Sequence, residues 1–216
     1  MAATASPVQR LVAWTKEDPV GAEVATVTLE ADQLSAVGTA IGSDPEPYRL
    51  DYVLSTGADF VTRLVRVSVA AEGWSRDLQL HRDDQGNWSA ETSQTGTVPL
   101  PDPGGDVSQF TGALDADLGL SPLFNSMPIL RHRLIDAGSW ADDFLMVWIS
   151  VPDLQLHLSK QRYTHVRAAG QTPAVVLFES IDEGDDFRAE VQVDSDGLVI
   201  DYPQMATRVR PVGVSV

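Results

Sequence analysis

The sequence contains no cysteine, which excludes disulfides, thiol nucleophiles and cysteine-bound metals. Lysine is nearly absent and occurs only as Lys16 and Lys160. No apolar run approaches the ~20 residues that a membrane-spanning helix needs. The P-loop, the dinucleotide fingerprint, the Gly-x-Ser-x-Gly elbow and the His-Glu-x-x-His motif are also missing. The sequence therefore carries none of the local signatures that would identify a common enzyme class.

Basic charge is scarce, and 31 acidic against 15 basic residues give a formal net charge of −16. A nucleic-acid-binding surface needs clustered Lys and Arg, and anionic membranes attract basic segments. We therefore predict no nucleic-acid partner and no stable membrane insertion. Residues 1–10 lack the basic and apolar regions of a secretory signal, so a cytoplasmic location is expected.

The four histidines, His81, His132, His157 and His165, are scattered along the chain. His157 and His165 would share one face of an unbroken strand, but at a separation too large to chelate one ion. We predict no metal site, and no motif indicates a cofactor.

Alternation with a period of two residues is the dominant pattern. Tyr48, Leu50, Tyr52 and Leu54 alternate with other side chains, and similar runs occupy 61–69, 78–81, 154–159 and 187–194. Residues 83–87 and 194–197 carry the Asp, Asn and Gly of tight hairpin turns. The pattern predicts an all-β, mostly antiparallel fold in a single domain over residues 1–216, with at most one or two short helices.

Helix signals are confined to the middle of the chain. Pro122 and Pro128 allow no more than a single turn around them, and residues 107–118 offer a second candidate for a short helix. The proline- and glycine-rich stretch 97–105 is interpreted as an extended loop within the domain.

Asp115 and Asp117 form the most suggestive pair of titratable residues. At positions i and i+2 of a strand they would project from the same face and raise each other's pKa. Such a pair suits general acid/base catalysis or a divalent cation. Alternatively, the two carboxylates pair with Arg131 and Arg133 or accept loop N–H bonds. The sequence leaves these alternatives open.

Three sequence segments in the second half are similar to segments of a known protein family. They are Gly112-Ala-Leu-Asp-Ala-Asp117 continuing through Pro122, Asn125 and Pro128 to Arg131, then Gln161-Arg-Tyr-Thr164, and the segment 187–203 with its Asp-Gly-Leu-Val and Asp-Tyr-Pro ending. Together they resemble the glycolipid-binding family of bacterial proteins, first known as a domain of unknown function. The first half agrees more loosely, at Trp14, 21–23, Gly38 and 48–52.

The resemblance implies a β-roll of two similar half-barrels, likened to the lipoprotein-localisation factors that shelter acyl chains. It also implies non-catalytic binding of a glycolipid or another acyl-chain amphiphile.

A wide roll leaves space that a ligand can fill. We predict that six residues contact this ligand: Asp115, Asp117, Asn125, Arg131, Tyr163 and Tyr202. Large aromatic residues either line the space or simply pack the core: Trp74, Trp88, Trp140, Trp148 and Phe124.

Two other functions remain open at this stage. One is an enzyme acting on a hydrophobic or glycosylated small molecule, with Asp115 and Asp117 as acid and base. The other is an oligomerising structural protein whose roll is filled by its own side chains. The sequence does not identify the oligomeric state.

Overall fold

A computed structural model describes residues 6–140, 142–170, 172–182, 184 and 186–210. Within these ranges the chain is built mainly from strands, most of them about nine residues long. The strands are β1 (Val8–Lys16), β2 (Gly21–Leu29), β3 (Leu34–Gly42), β4 (Tyr48–Thr56), β5 (Thr62–Ala71), β6 (Trp74–Arg82), β7 (Trp88–Gly96), β8 (Asp115–Leu118), β9 (Asp142–Ile149), β10 (Leu156–Arg167), β11 (Ala174–Ser180), β12 (Arg188–Val193), β13 (Val199–Tyr202) and β14 (Ala206–Arg208).

All of these strands belong to one 14-stranded sheet. Strands β1 to β7 follow one another as a meander, and β14 back to β8 form a second meander in reverse order. The two halves join where β1 pairs with β14, at Trp14 opposite Arg208. Every pairing is antiparallel except β8 with β9, and the sheet ends at β7 and β8 without closing. The predicted mostly antiparallel all-β fold is confirmed.

Helical structure is short, as predicted. One α-helix, α1 (Ser126–Arg131), follows directly after a 3-10 turn at Pro122–Asn125. The candidate helix at 107–118 is helical only over Val107–Phe110, and its end forms strand β8 instead. A further 3-10 turn covers Ala58–Phe60. No helix in the described part of the chain is long and apolar enough to cross a membrane.

Both predicted hairpin turns are confirmed. Asp83 Oδ1 accepts the backbone N–H groups of Gln85 and Asn87 between β6 and β7. Asp194 Oδ1 does the same for Asp196 and Leu198 between β12 and β13. Such Asx turns are formed by residues close together in the sequence. The residues of each turn were therefore enough to predict it.

The first half is filled by its own side chains. Tyr48, Leu50, Tyr52 and Leu54 are all buried, as their alternation predicted. The ring of Tyr52 lies directly against Gly38 of the neighbouring strand, where a Cβ would come within 2.2 Å of Tyr52 Cζ. Glycine at this position therefore lets an aromatic ring cover the sheet at close range.

Strands β8 to β10 carry a hydrophobic cluster on each face. Ala116 and Leu118 of β8 pack with the core of the first half. Met146 of β9 and Tyr163 of β10 belong to a second cluster, with Val176 and Val191 of the later strands. Asp115 lies opposite Met146 in the register, so the two aspartates of β8 are on the side of this second cluster. This side is called the inner face of the second half.

Candidate functional site

A cavity of about 570 Å³ lies in the second half, within the range typical of small-molecule sites. Strands β8, β9, β10, β11 and β13 contribute to its walls, together with the 3-10 turn after β8. Polar and apolar side chains are mixed around it: Asp117, Leu118, Leu120, Ser121, Asn125, Trp148, His157, Leu158, Ser159, Gln161, Phe178, Ser180, Asp182, Phe187, Tyr202 and Met205. The spaces of the first half are smaller: about 300 Å³ over β5 to β7, about 250 Å³ over β3 to β5, and about 10 Å³ between Lys16, Glu23 and Tyr52.

The strand register places three cavity residues side by side. Asp117 of β8 is opposite Trp148 of β9, and Trp148 is opposite His157 of β10. The Trp148 and His157 rings are in contact in a tilted arrangement, with their centroids 5.2 Å apart and their planes inclined at 39°. Trp148 remains 37% exposed, so part of the indole surface is open to solvent. These rings form an aromatic platform at the mouth of the cavity.

The floor of the cavity is a chain of hydrogen bonds. Gln161 Nε2 donates to Asp117 Oδ2 at 2.7 Å, and Gln161 is almost fully buried. The Tyr163 hydroxyl lies 2.9 Å from Asn125 Oδ1 and 3.1 Å from Gln161 Oε1, and its single proton is donated to one of these acceptors at a time. Burial raises the pKa of Tyr163 well above its ordinary value, which keeps the hydroxyl protonated as a donor.

Asp117 is the exception to full pairing on this floor. Among the described residues, its hydrogen bond from Gln161 uses Oδ2 and nothing donates to Oδ1. Burial raises the pKa of Asp117 to about 6, against the opposing hydrogen bond from Gln161, and the negative charge of Asp115 adds to the rise. One carboxylate oxygen is therefore available to a ligand donor.

Asp182 supplies a second carboxylate to the wall. Its Oδ2 accepts from Ser159 Oγ at 3.0 Å and its Oδ1 from the Lys160 backbone N–H at 2.9 Å. No lysine or arginine is among the described residues that line the cavity. The site therefore combines two carboxylates with no permanent cation.

Asp115 and Arg131 bind each other rather than the cavity. Arg131 donates to both carboxylate oxygens of Asp115, at 2.5 and 2.8 Å, and both side chains are buried. Arg131 also donates to the carbonyl oxygens of Asp59 and Phe60, which both have a positive φ of 56°. This ion pair fastens the β4–β5 connection to β8 and α1, as the structural alternative proposed for Asp115, whereas Arg133 pairs with Asp136 instead.

The six predicted contact residues differ in their position relative to the cavity. Asp117, Asn125 and Tyr202 line the cavity, whereas Tyr163 reaches it through its hydrogen bonds to Asn125 and Gln161. Asp115 and Arg131 are outside the lining, and the ligand-binding role of all six residues stays a prediction. No group of three or more metal-ligating side chains occurs in the part of the chain that the structure describes.

The candidate aromatic residues also separate. Trp148 lines the cavity, Trp140 is 81% exposed, and Trp74, Trp88 and Phe124 are buried in the first core. Sequence reasoning overlooked several lining residues: His157, Ser159, Gln161, Ser180, Asp182 and Phe187. Gln161 precedes Tyr163 by two positions in one strand, which was the available signal that the two share a face.

Comparisons with known proteins agree over nearly the whole chain. A sequence profile of the family described as "Putative glycolipid-binding" matches residues 11–208. A search of curated proteins finds no match. Among solved structures, a DUF1089 family protein from Pseudomonas aeruginosa is similar, with 31% sequence identity and a TM-score of 0.63. That alignment covers 87% of this chain and 92% of the other.

Proposed function

Because the chain belongs to the glycolipid-binding family, we propose that its second-half cavity binds a glycolipid or a similar acyl-chain amphiphile without catalysing a reaction. The observation that carries this proposal is the mixed lining of the 570 Å³ cavity. Phe178, Leu158 and Met205 offer apolar surface, while Asp117 and Gln161 offer directed polar contacts. An amphiphile satisfies both parts of such a lining at once.

The packing of the first half supports the choice of cavity. Trp14, Tyr52 and Leu54 are at most 2% exposed there, and the space beside Tyr52 holds about 10 Å³. A cavity of that size accommodates no more than about one water molecule. The proposal therefore takes the larger second-half cavity as the site, rather than the spaces of about 250 and 300 Å³ over strands β3 to β7.

Retention of lipid from a bacterial polar-lipid extract tests this proposal. The protein is incubated with the extract, re-isolated by size exclusion, denatured and extracted for mass spectrometry. We expect close to one amphiphile per chain. Ser180→Phe, which places a ring in the cavity, should reduce retention strongly. The matched control Ser89→Phe, at an exposed site on β7, should leave retention unchanged.

A protein that retains no lipid under these conditions would contradict the proposal. Equal retention by wild type and Ser180→Phe would also count against it, because the bound lipid would then be outside the cavity. Circular dichroism of both variants checks that the sheet is intact.

The raised pKa of Asp117 is the one observation that favours the alternative of an enzyme. The expected acid/base partner, Asp115, has both oxygens bonded to Arg131, so proton transfer would first require that ion pair to open. Hydrolysis of a chromogenic alkyl or aryl glycoside by the wild type, abolished in Asp117→Asn, would establish the enzyme. We expect no turnover.

A further inference from the structure

The lining of the cavity distinguishes between the two ends of an amphiphile. An acyl chain placed on its floor would cover Asp117 Oδ1 without offering it a hydrogen bond, whereas the amides of Gln161 and Asn125 are already bonded within the protein. Each buried polar group left unsatisfied in this way costs about 1–3 kcal/mol. The floor therefore favours the polar end of the ligand, and the chain would leave through the mouth.

The charge of the lining distinguishes between polar heads. Asp117 and Asp182 both line the cavity, and no lysine or arginine is among the described lining residues. Arg131, the first arginine after Asp117 in the sequence, is already paired with Asp115. A phosphate or sulfate head would meet like charge at short range, with no lysine or arginine in the described lining to compensate it, and burial would strengthen the repulsion.

The hydrogen-bonding groups of the lining distinguish neutral from cationic heads. An ionised carboxylate only accepts hydrogen bonds, so Asp117 Oδ1 is suited to a hydroxyl donor. Asn125, Ser159 and Ser180 add short polar groups on neighbouring walls. A quaternary ammonium would be attracted by Asp117, Asp182 and Trp148, but it has no N–H or O–H and would leave Asp117 Oδ1 desolvated without a hydrogen bond. A ring bearing several hydroxyls could use many of these polar groups.

The platform of Trp148 and His157 supplies the remaining surface. Its rings are tilted against each other, and the indole is 37% exposed at the cavity mouth, beside Asp117 in the strand register. A sugar ring has an apolar C–H face and a polar rim of hydroxyls. It can therefore lie against an aromatic ring while its hydroxyls reach a neighbouring carboxylate.

Building on the proposed function, we infer that the cavity holds the uncharged, hydroxylated head of the amphiphile. The head stacks on Trp148, donates a hydroxyl hydrogen bond to Asp117 Oδ1, and leaves its chain at the mouth. Anionic heads are excluded from this site by Asp117 and Asp182.

Three amphiphiles with the same chain test the inference: octyl glucoside, octyl phosphate and octyltrimethylammonium, each below its critical micelle concentration. Binding to the intact protein is measured by isothermal titration calorimetry near neutral pH. We expect octyl glucoside to bind at least about tenfold more tightly than octyl phosphate, because like charges repel in the desolvated site. It should also bind more tightly than octyltrimethylammonium, because the attraction of that cation to the carboxylates is offset by their desolvation without hydrogen bonds.

Variants locate the head group. Trp148→Ala should weaken octyl glucoside about three- to tenfold, the range expected for one aromatic contact. The matched control Trp140→Ala, at a residue 81% exposed and outside the lining, should bind as wild type. Asp117→Asn should weaken octyl glucoside and strengthen octyl phosphate, since it removes a negative charge at nearly constant shape.

The possible failures are distinguishable. Equal affinity for the three amphiphiles would overturn the head-group inference but leave amphiphile binding intact. Tighter binding of octyl phosphate or octyltrimethylammonium would overturn it in the same way. Absence of binding by all three would count against the head-group inference and the proposed function together.

Discussion

Ser121 Oγ donates to Glu23 Oε1 at 2.6 Å and so joins the connection after β8 to strand β2 of the first half. The same oxygen accepts from the Tyr52 hydroxyl at 2.8 Å, and Lys16 Nζ is 3.0 Å from Glu23 Oε2. The Glu23 side chain is fully buried and that of Lys16 is 8% exposed. This buried cluster is one place where the two halves are held together by polar contacts.

Glu23→Gln should destabilise the protein by about 3–5 kcal/mol, because it leaves the Lys16 ammonium buried without its partner. Urea unfolding measures the change, and Glu72→Gln at an exposed position serves as the control. In a double-mutant cycle, adding Lys16→Met should recover part of the loss. Strictly additive effects would show that the two charges do not interact.

The aspartates of β8 are expected to differ sharply in their effect on stability. Asp115→Asn should cost about 3–5 kcal/mol in urea unfolding, because Arg131 would remain buried without a counter-charge. The matched control is Asp143→Asn, which breaks a similar two-bond contact with Arg162 at the exposed surface and should cost at most about 1 kcal/mol. Equal costs for the two variants would remove the structural role assigned to Asp115.

Arg76 should be essential to the packing of the proline- and glycine-rich loop at residues 97–105. Its guanidinium is fully buried and donates to the carbonyl oxygens of Leu100, Pro101 and Asp153. Arg76→Met would leave these oxygens unsatisfied and should cost about 3 kcal/mol or more in urea unfolding. Arg66→Met, at an exposed position one strand away, should change stability little. A wild-type unfolding midpoint for Arg76→Met would contradict this role.

The titration of Asp117 predicts a pH dependence of stability. Its folded pKa of about 6 exceeds the ordinary value of 3.8, so the folded state binds more protons than the unfolded state between these values. The contribution of Asp117 to stability should therefore fall as the pH rises from about 4 to 6, by about 3 kcal/mol at most. Urea unfolding at pH 4 and pH 7 measures it. Asp117→Asn should abolish this component, and an unchanged pH profile in the variant would refute the assignment.

Local patterns could predict much of the fold. The alternation of Tyr48 to Leu54 and the Asx turns at Asp83 and Asp194 depend on neighbours in sequence, so a single sequence reveals them. The pairing of Trp14 with Arg208 depends on contacts between the chain's two ends, for which no local pattern exists. The two meanders could therefore be expected, but their junction could not.

The site was less predictable for a related reason. Asp115 and Asp117 share a sequence context, yet one faces Arg131 and the other faces Gln161 and the cavity. Trp88 and Trp148 are likewise indistinguishable by pattern, although the first is buried and the second is partly exposed at the mouth. Tertiary packing decides which polar residue is satisfied by the protein and which is left for a ligand.

A crystal structure of the protein with octyl glucoside tests the central claim most directly. The glucose ring should lie in the cavity against Trp148, with a hydroxyl within hydrogen-bonding distance of Asp117 Oδ1 and the octyl chain directed toward the mouth. An octyl chain inside the cavity with its sugar in solvent, or a ligand bound elsewhere on the molecule, would contradict the account.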